Sequence, residues 1–242
     1  MKKIFVSLIL LILGTQLQGQ NVGLSFSYFV PRNGSFSTPI SPFSLRGVGF
    51  DFNNYFGVQT GATLYRMSGL NIIDLPFESK EPMLGPNFTI FVPAEFVFQL
   101  KGQKARFDIK AGGFLFYGFA QKLNTGNIDR AIRQYEQWDV ANSDLTFKNN
   151  LGFGKQIGAE LTLYVTNQFG VSLETNYLMG TAKFPLSGTY TGGTIASGLQ
   201  NVAVNYKDAK VDFTGFEFSV GVIFTGGGGG GPKSKSRRRR QN

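Results

Sequence analysis

The sequence predicts an all-β chain: an eight-stranded antiparallel transmembrane up-and-down β-barrel with short periplasmic turns and long extracellular loops. Three observations predict it. Hydrophobicity alternates with period two in eight segments, bulky apolar residues occupy one face of each segment, and the connections between segments alternate short and long.

The first segment sets Val22, Leu24, Phe26, Tyr28 and Val30 against Gly23, Ser25 and Ser27. The second sets Val48, Phe50 and Phe52 against Gly47, Gly49 and Asp51, and the third sets Phe56, Val58, Ala62 and Leu64 against Gly57, Gln59, Gly61 and Thr63. In the fourth, Phe88 through Leu100 alternate with Thr89, Glu95 and Gln99; in the fifth, Phe107, Ile109 and Ala111 oppose Arg106, Asp108 and Lys110. The sixth opposes Ile157, Ala159, Leu161, Leu163 and Val165 to Gly158, Glu160, Thr162 and Tyr164. The seventh opposes Phe169, Val171 and Leu173 to Gly170, Ser172 and Glu174. The eighth opposes Phe216, Phe218, Val220, Val222 and Phe224 to Glu217, Ser219 and Gly221. Each segment has the length a tilted strand needs to cross a bilayer, about 9 to 11 residues.

Alternation alone also fits a soluble barrel, so the size of the two faces decides. A soluble barrel hides its bulky apolar face inside, whereas a narrow barrel in lipid turns that face outward and fills its lumen with glycine and polar residues. Here the second face is glycine, serine, threonine and charge, which predicts lipid outside. The connections agree: residues 53–55, 101–104 and 166–168 are tight turns, while 31–44, 68–86, 121–149 and 179–209 are long. Strict alternation gathers the short turns and both strand termini at one rim.

Met1-Lys2-Lys3 and the apolar run Ile4 to Leu13 read as a secretory leader over residues 1–19, too short to span a bilayer as a helix. The domains expected are therefore the leader 1–19, the barrel 20–224, and a glycine-rich basic tail 225–242. The net charge of +9 comes from the ends: setting aside Lys2, Lys3 and the six cations Lys233, Lys235 and Arg237 to Arg240 leaves +1 for the body. No nucleic-acid partner is expected of such a body.

By this pattern, residues 21 to 224 resemble the small eight-stranded outer-membrane barrels of the OmpA and OmpX type, in a glycine- and phenylalanine-rich form common in Bacteroidota. The last strand, Phe216 to Phe224, is the sharpest element: Gly221, Val222 and the closing aromatic Phe224 are similar to the signal read by the barrel-assembly machinery. The resemblance implies an outer-membrane location in Gram-negative cells, outer-membrane lipid around the barrel, and that machinery as a partner during insertion. It departs from the usual pattern in the tail after Phe224, whose Arg237, Arg238, Arg239 and Arg240 are candidates for contact with an outer-membrane or acidic periplasmic partner.

Chemistry is constrained by composition. The chain has no histidine and no cysteine. Members of such families that cleave or transfer acyl chains use histidine as general base, so that route is closed, and no metal or cofactor is expected. Glu95, Arg106, Asp108, Lys110, Glu160, Glu174 and Glu217 all point inward in this register and are expected to form a lumen charge network. In the third long loop, Ile128, Ile132, Tyr135 and Trp138 recur at helical spacing. They form a stripe that packs on neighbouring loops or anchors a partner, with Trp138 as the strongest anchor. These features favour a non-enzymatic structural or interaction protein, an accessory subunit of a larger outer-membrane secretion or assembly complex. The alternatives are a small-solute pore and, behind it, a lumen-carboxylate enzyme.

Overall fold

The computed structural model describes residues 21–33 and 44–225. The expected leader and the tail arginines Arg237, Arg238, Arg239 and Arg240 lie outside the described residues.

Eight strands make the barrel: β1 (Asn21–Pro31), β2 (Ser44–Asp51), β3 (Phe56–Met67), β5 (Asn87–Lys101), β6 (Ala105–Phe119), β8 (Gly152–Tyr164), β9 (Phe169–Lys183) and β13 (Gly215–Thr225). Each pairs antiparallel with its neighbours, and β13 closes the ring on β1 from Asn21↔Thr225 to Pro31↔Gly215. Closure leaves no barrel edge to be satisfied in lipid. Side chains split as the alternation predicts: Phe26, Phe96, Leu161, Val171 and Val220 project outward and are exposed, while Ser27, Thr63, Gln99, Thr162 and Ser219 are buried inside.

Three long connections are folded. The first carries β4 (Ile72–Ile73), which pairs with β12 (Lys210–Asp212). The second carries α1 (Thr125–Glu136) and β7 (Val140–Phe147), and the third carries β10 (Leu186–Thr194) and β11 (Gly198–Tyr206). Strands β11, β10 and β7 form a separate three-stranded sheet. It prolongs the β8–β9 pair beyond the rim: Phe153 faces Thr181 within the barrel, the Lys148 N–H donates to the Pro185 carbonyl at 3.1 Å, and Phe147 then faces Leu186. These segments were expected as loops because their polar residues and short apolar stretches hide a period that emerges only when sheet and helix pack together.

The apolar core sits in this cap and in the loop-side half of the lumen. Ile128, Ala131 and Ile132 of α1 pack with Met83, Leu84, Phe184, Leu186 and Tyr190. Such burial contributes roughly 1.5 to 3 kcal/mol per large side chain, and it is what holds a 12-residue helix that would be marginal alone.

Candidate functional site in the lumen

All seven charged residues expected inside are buried inside: Glu95, Arg106, Asp108, Lys110, Glu160, Glu174 and Glu217. Strand register sets their spacing. Glu160 of β8 lies directly opposite Glu174 of β9, and Lys110 of β6 answers both, its Nζ reaching Glu160 at 2.5 Å and Glu174 at 3.1 Å. Arg106 pairs with Asp108 two residues along the same strand face, at 2.6 Å. Asn176 donates to Glu174 at 2.9 Å and to Glu217 at 2.8 Å, and Gln156 donates to Glu95 at 2.5 Å. Buried charges persist only when paired and hydrogen-bonded in this way.

The network has a member the alternation misplaces. Arg46 of β2 is buried, bonded to Glu217, and 3.6 Å from Glu174. Counting back from Val48 puts Arg46 on the lipid face. The register, however, shifts between Leu45 and Val48: three steps on β2 match two on β3, from Leu45↔Ala62 to Val48↔Thr60. The extra residue is a bulge at Gly47, whose φ of 75° suits glycine. It turns Arg46 inward. The sequence holds a signal for it, since five inward carboxylates faced only two inward cations.

On the loop side of this network the lumen changes character. Phe29, Tyr65, Phe91, Phe114 and Phe116 point inward from the strands, which corrects the expectation that the inner face is small or charged throughout. They surround Phe213, which leaves the segment between β12 and β13 and stacks on Phe29 at 4.6 Å and on Phe116 at 4.5 Å between ring centroids. Phe213 lies outside any alternating strand, so no period pointed to it. The two layers are joined: the Tyr65 hydroxyl donates to Glu217, and the Arg46 guanidinium lies 6.0 Å from the Phe91 ring centre.

The amphipathic stripe is placed differently from a free anchor. Ile128 and Ile132 are buried in the core of the cap, so neither is available to a partner. Trp138 falls beyond the helix, after Gln137 turns left-handed at φ 58°, and packs edge-on against Tyr190 at 5.7 Å. Tyr135 alone of the four is well exposed, at 52%. The helix needs its own stripe to attach itself to the barrel mouth, which is why the stripe exists. Nearby, Tyr190 donates to Glu136 at 2.5 Å; burial first, and that bond second, hold its phenol above the usual tyrosine range.

Gly221 is inward and in close contact: a Cβ there would stand 2.7 Å from the Ser25 side chain. Val222 and Phe224 project outward next to β1 and β9, opposite Leu24 and Val22 on one side and Val171 and Phe169 on the other. The closing strand is thus the seam of the barrel.

No family model and no curated protein sequence matches the chain. Solved structures do. The outer membrane protein OprG of Pseudomonas aeruginosa matches with a TM-score of 0.52 at 12% identity, over 86% of this chain and 96% of that one. A major outer membrane protein of Thermus thermophilus matches with a TM-score of 0.45 at 9% identity, over 87% and 100%. Ail, the attachment invasion locus protein of Yersinia pestis, matches with a TM-score of 0.38 at 12% identity, over 86% and 97%. With its closed ring, its outward apolar belt and the likeness of its fold to OprG, the chain is a small eight-stranded β-barrel of the outer-membrane type, placed in the outer membrane.

Proposed function

We propose that the protein is a non-conducting, non-enzymatic barrel that acts as an interaction protein, presenting its folded cap outside the membrane as an accessory subunit of a larger outer-membrane assembly. The observation that carries this reading is the filled interior. A salt-bridged layer through Arg46, Lys110, Glu174 and Glu217 lies beneath an aromatic layer centred on Phe213, and the mouth beyond is packed by α1 and the three-stranded sheet. Eight strands leave an interior that side chains just fill, and here they fill it. The carboxylates are occupied by cations and amides, which speaks for a structural role over acid–base work.

Planar-bilayer recording of the refolded chain tests it. The expected result is a flat baseline for the native protein and for Phe213→Ala, because the charged layer still closes the lumen. Steady single-channel steps from the native protein would replace this reading with the small-solute pore.

A further inference from the structure

Along the outer face of β8 the side chains run Leu163, Leu161, Ala159, Ile157, Lys155 and Phe153. Lys155 is thus a charge set inside the apolar belt, with Ile157 exposed at 54% on one side of it and Phe153 at 63% on the other. It is itself exposed and joins no ion pair among the described residues. No Asp or Glu among them alternates onto the outward face of the eight strands. Arg66 and Lys183 also project outward, but at the loop-side ends of β3 and β9. An ionisable side chain facing hydrocarbon is costly, so it takes a partner there or lifts its charge to the interface.

The register sets Lys155 at the end of a groove. Directly across from it on β6 is Gly113, across from Gly113 on β5 is Ala94, and across from Ala94 on β3 is Thr60. A Cβ at Gly113 would touch only the Gly154 carbonyl, at 3.4 Å, so the outward side is open there. Val92, Leu115 and Phe153 form the loop-side bank in matching register, and Phe96 and Ile157 stand on the other. Beyond Ala94 the groove widens into a hollow of about 330 Å³ against Val58, Thr60 and Phe96. Because barrel strands tilt, the groove descends through the belt: Lys155 is nine residues from the short-turn end of β8, and Thr60 four from that of β3. The connection 34–43 joins β1 to β2, on the side of the ring away from β8.

We propose that Lys155 and this groove hold a phosphorylated outer-leaflet lipid, its phosphate paired with the ammonium and an acyl chain laid over Gly113 and Ala94. Placement in the membrane makes lipid the occupant of an outward face in the apolar belt. Charge selects its headgroup: the ammonium donates to phosphate oxygens, and no outward carboxylate competes for it. A zwitterionic lipid brings its own cation beside its phosphate and fits less well. The inference is independent of whether the lumen conducts.

Native mass spectrometry of the full chain, refolded in detergent micelles doped with phosphatidic acid or with phosphatidylcholine of the same chains, tests it. The expected result is one phosphatidic acid retained per chain and no phosphatidylcholine. Lys155→Gln is expected to weaken retention about fivefold. Gly113→Leu fills the groove and keeps the lysine, and it should weaken retention as well; Ala94→Leu serves the same purpose should that variant fail to show heat-modifiable migration. A lysine that only lifts its charge to water would not respond to either. Lys183→Gln, away from the groove, should retain lipid as the native chain does, and excess inorganic phosphate should not displace it. Equal retention of the two lipids, native retention by Lys155→Gln or by the folded groove-filling variant, an equal loss in Lys183→Gln, or displacement by phosphate alone would each overturn the proposal.

Discussion

Lys110 is the residue on which the lumen network depends. It is buried, and among the described residues its ammonium is the only cation within salt-bridge distance of Glu160, a carboxylate that faces Glu174 across the β8–β9 pair. Replacing it by Met removes the cation and keeps the volume of the stem. The two carboxylate oxygens it now bridges stand at most about 5.6 Å apart, the sum of its two contacts. Two like charges at that separation repel by about 3 kcal/mol at an effective dielectric of 20. Loss of one partner of a buried pair costs about 3 to 5 kcal/mol in other proteins, so the two routes agree. We expect Lys110→Met to lower the stability of the folded barrel by about 3 to 4 kcal/mol, measured by urea titration of refolding in lipid vesicles. Adding Glu160→Gln and Glu174→Gln should return most of it, since the two carboxylates that lose this cation are then neutral. A single variant within about 1 kcal/mol of the native protein, or a triple variant no better than the single, would refute the reasoning.

Other outcomes follow from burial and charge. Arginine at Phe96, Leu161 or Val171, which face lipid, should cost roughly 2 to 4 kcal/mol each. Arginine at the inward Thr162 or Ser172 should damage refolding less after allowing for size, and the reverse order would mean that the apolar face is a buried core. Ile132→Ala should cost about 2 to 5 kcal/mol of cap stability, seen as faster hydrogen exchange and proteolysis in residues 121–149 while heat-modifiable gel migration of the barrel persists. Tyr190 is held in its neutral form by the cap, so its pKa is raised on folding. The stability this adds is present below the unfolded tyrosine value of about 10 and is lost as pH rises through the higher folded value. The cap of the native protein should therefore become protease-sensitive at strongly alkaline pH, and Tyr190→Phe should shift that onset upward; no shift would remove the Tyr190–Glu136 pair from the account.

Local alternation was enough to read the eight strands, their lipid face, the short-turn rim and seven of the eight charges gathered in the lumen. The reason is physical: in a barrel wall each side chain has only two directions to go, and period two is written directly in the residues. What depended on the third dimension lay where that rule is interrupted. One extra residue at Gly47 turned Arg46 from lipid to lumen. A side chain from a connecting segment, Phe213, closed the aromatic layer. The stripe of α1 was legible as amphipathic, but whether it faced a partner or its own protein was settled by sheet β7–β10–β11 and the β3–β5 connection, which supply the surface that buries Ile128 and Ile132. By itself the sequence determined the barrel, because strand alternation is a local property; the tertiary structure alone decided the bulge, the plug and the cap, because each depends on contacts between residues far apart in the chain.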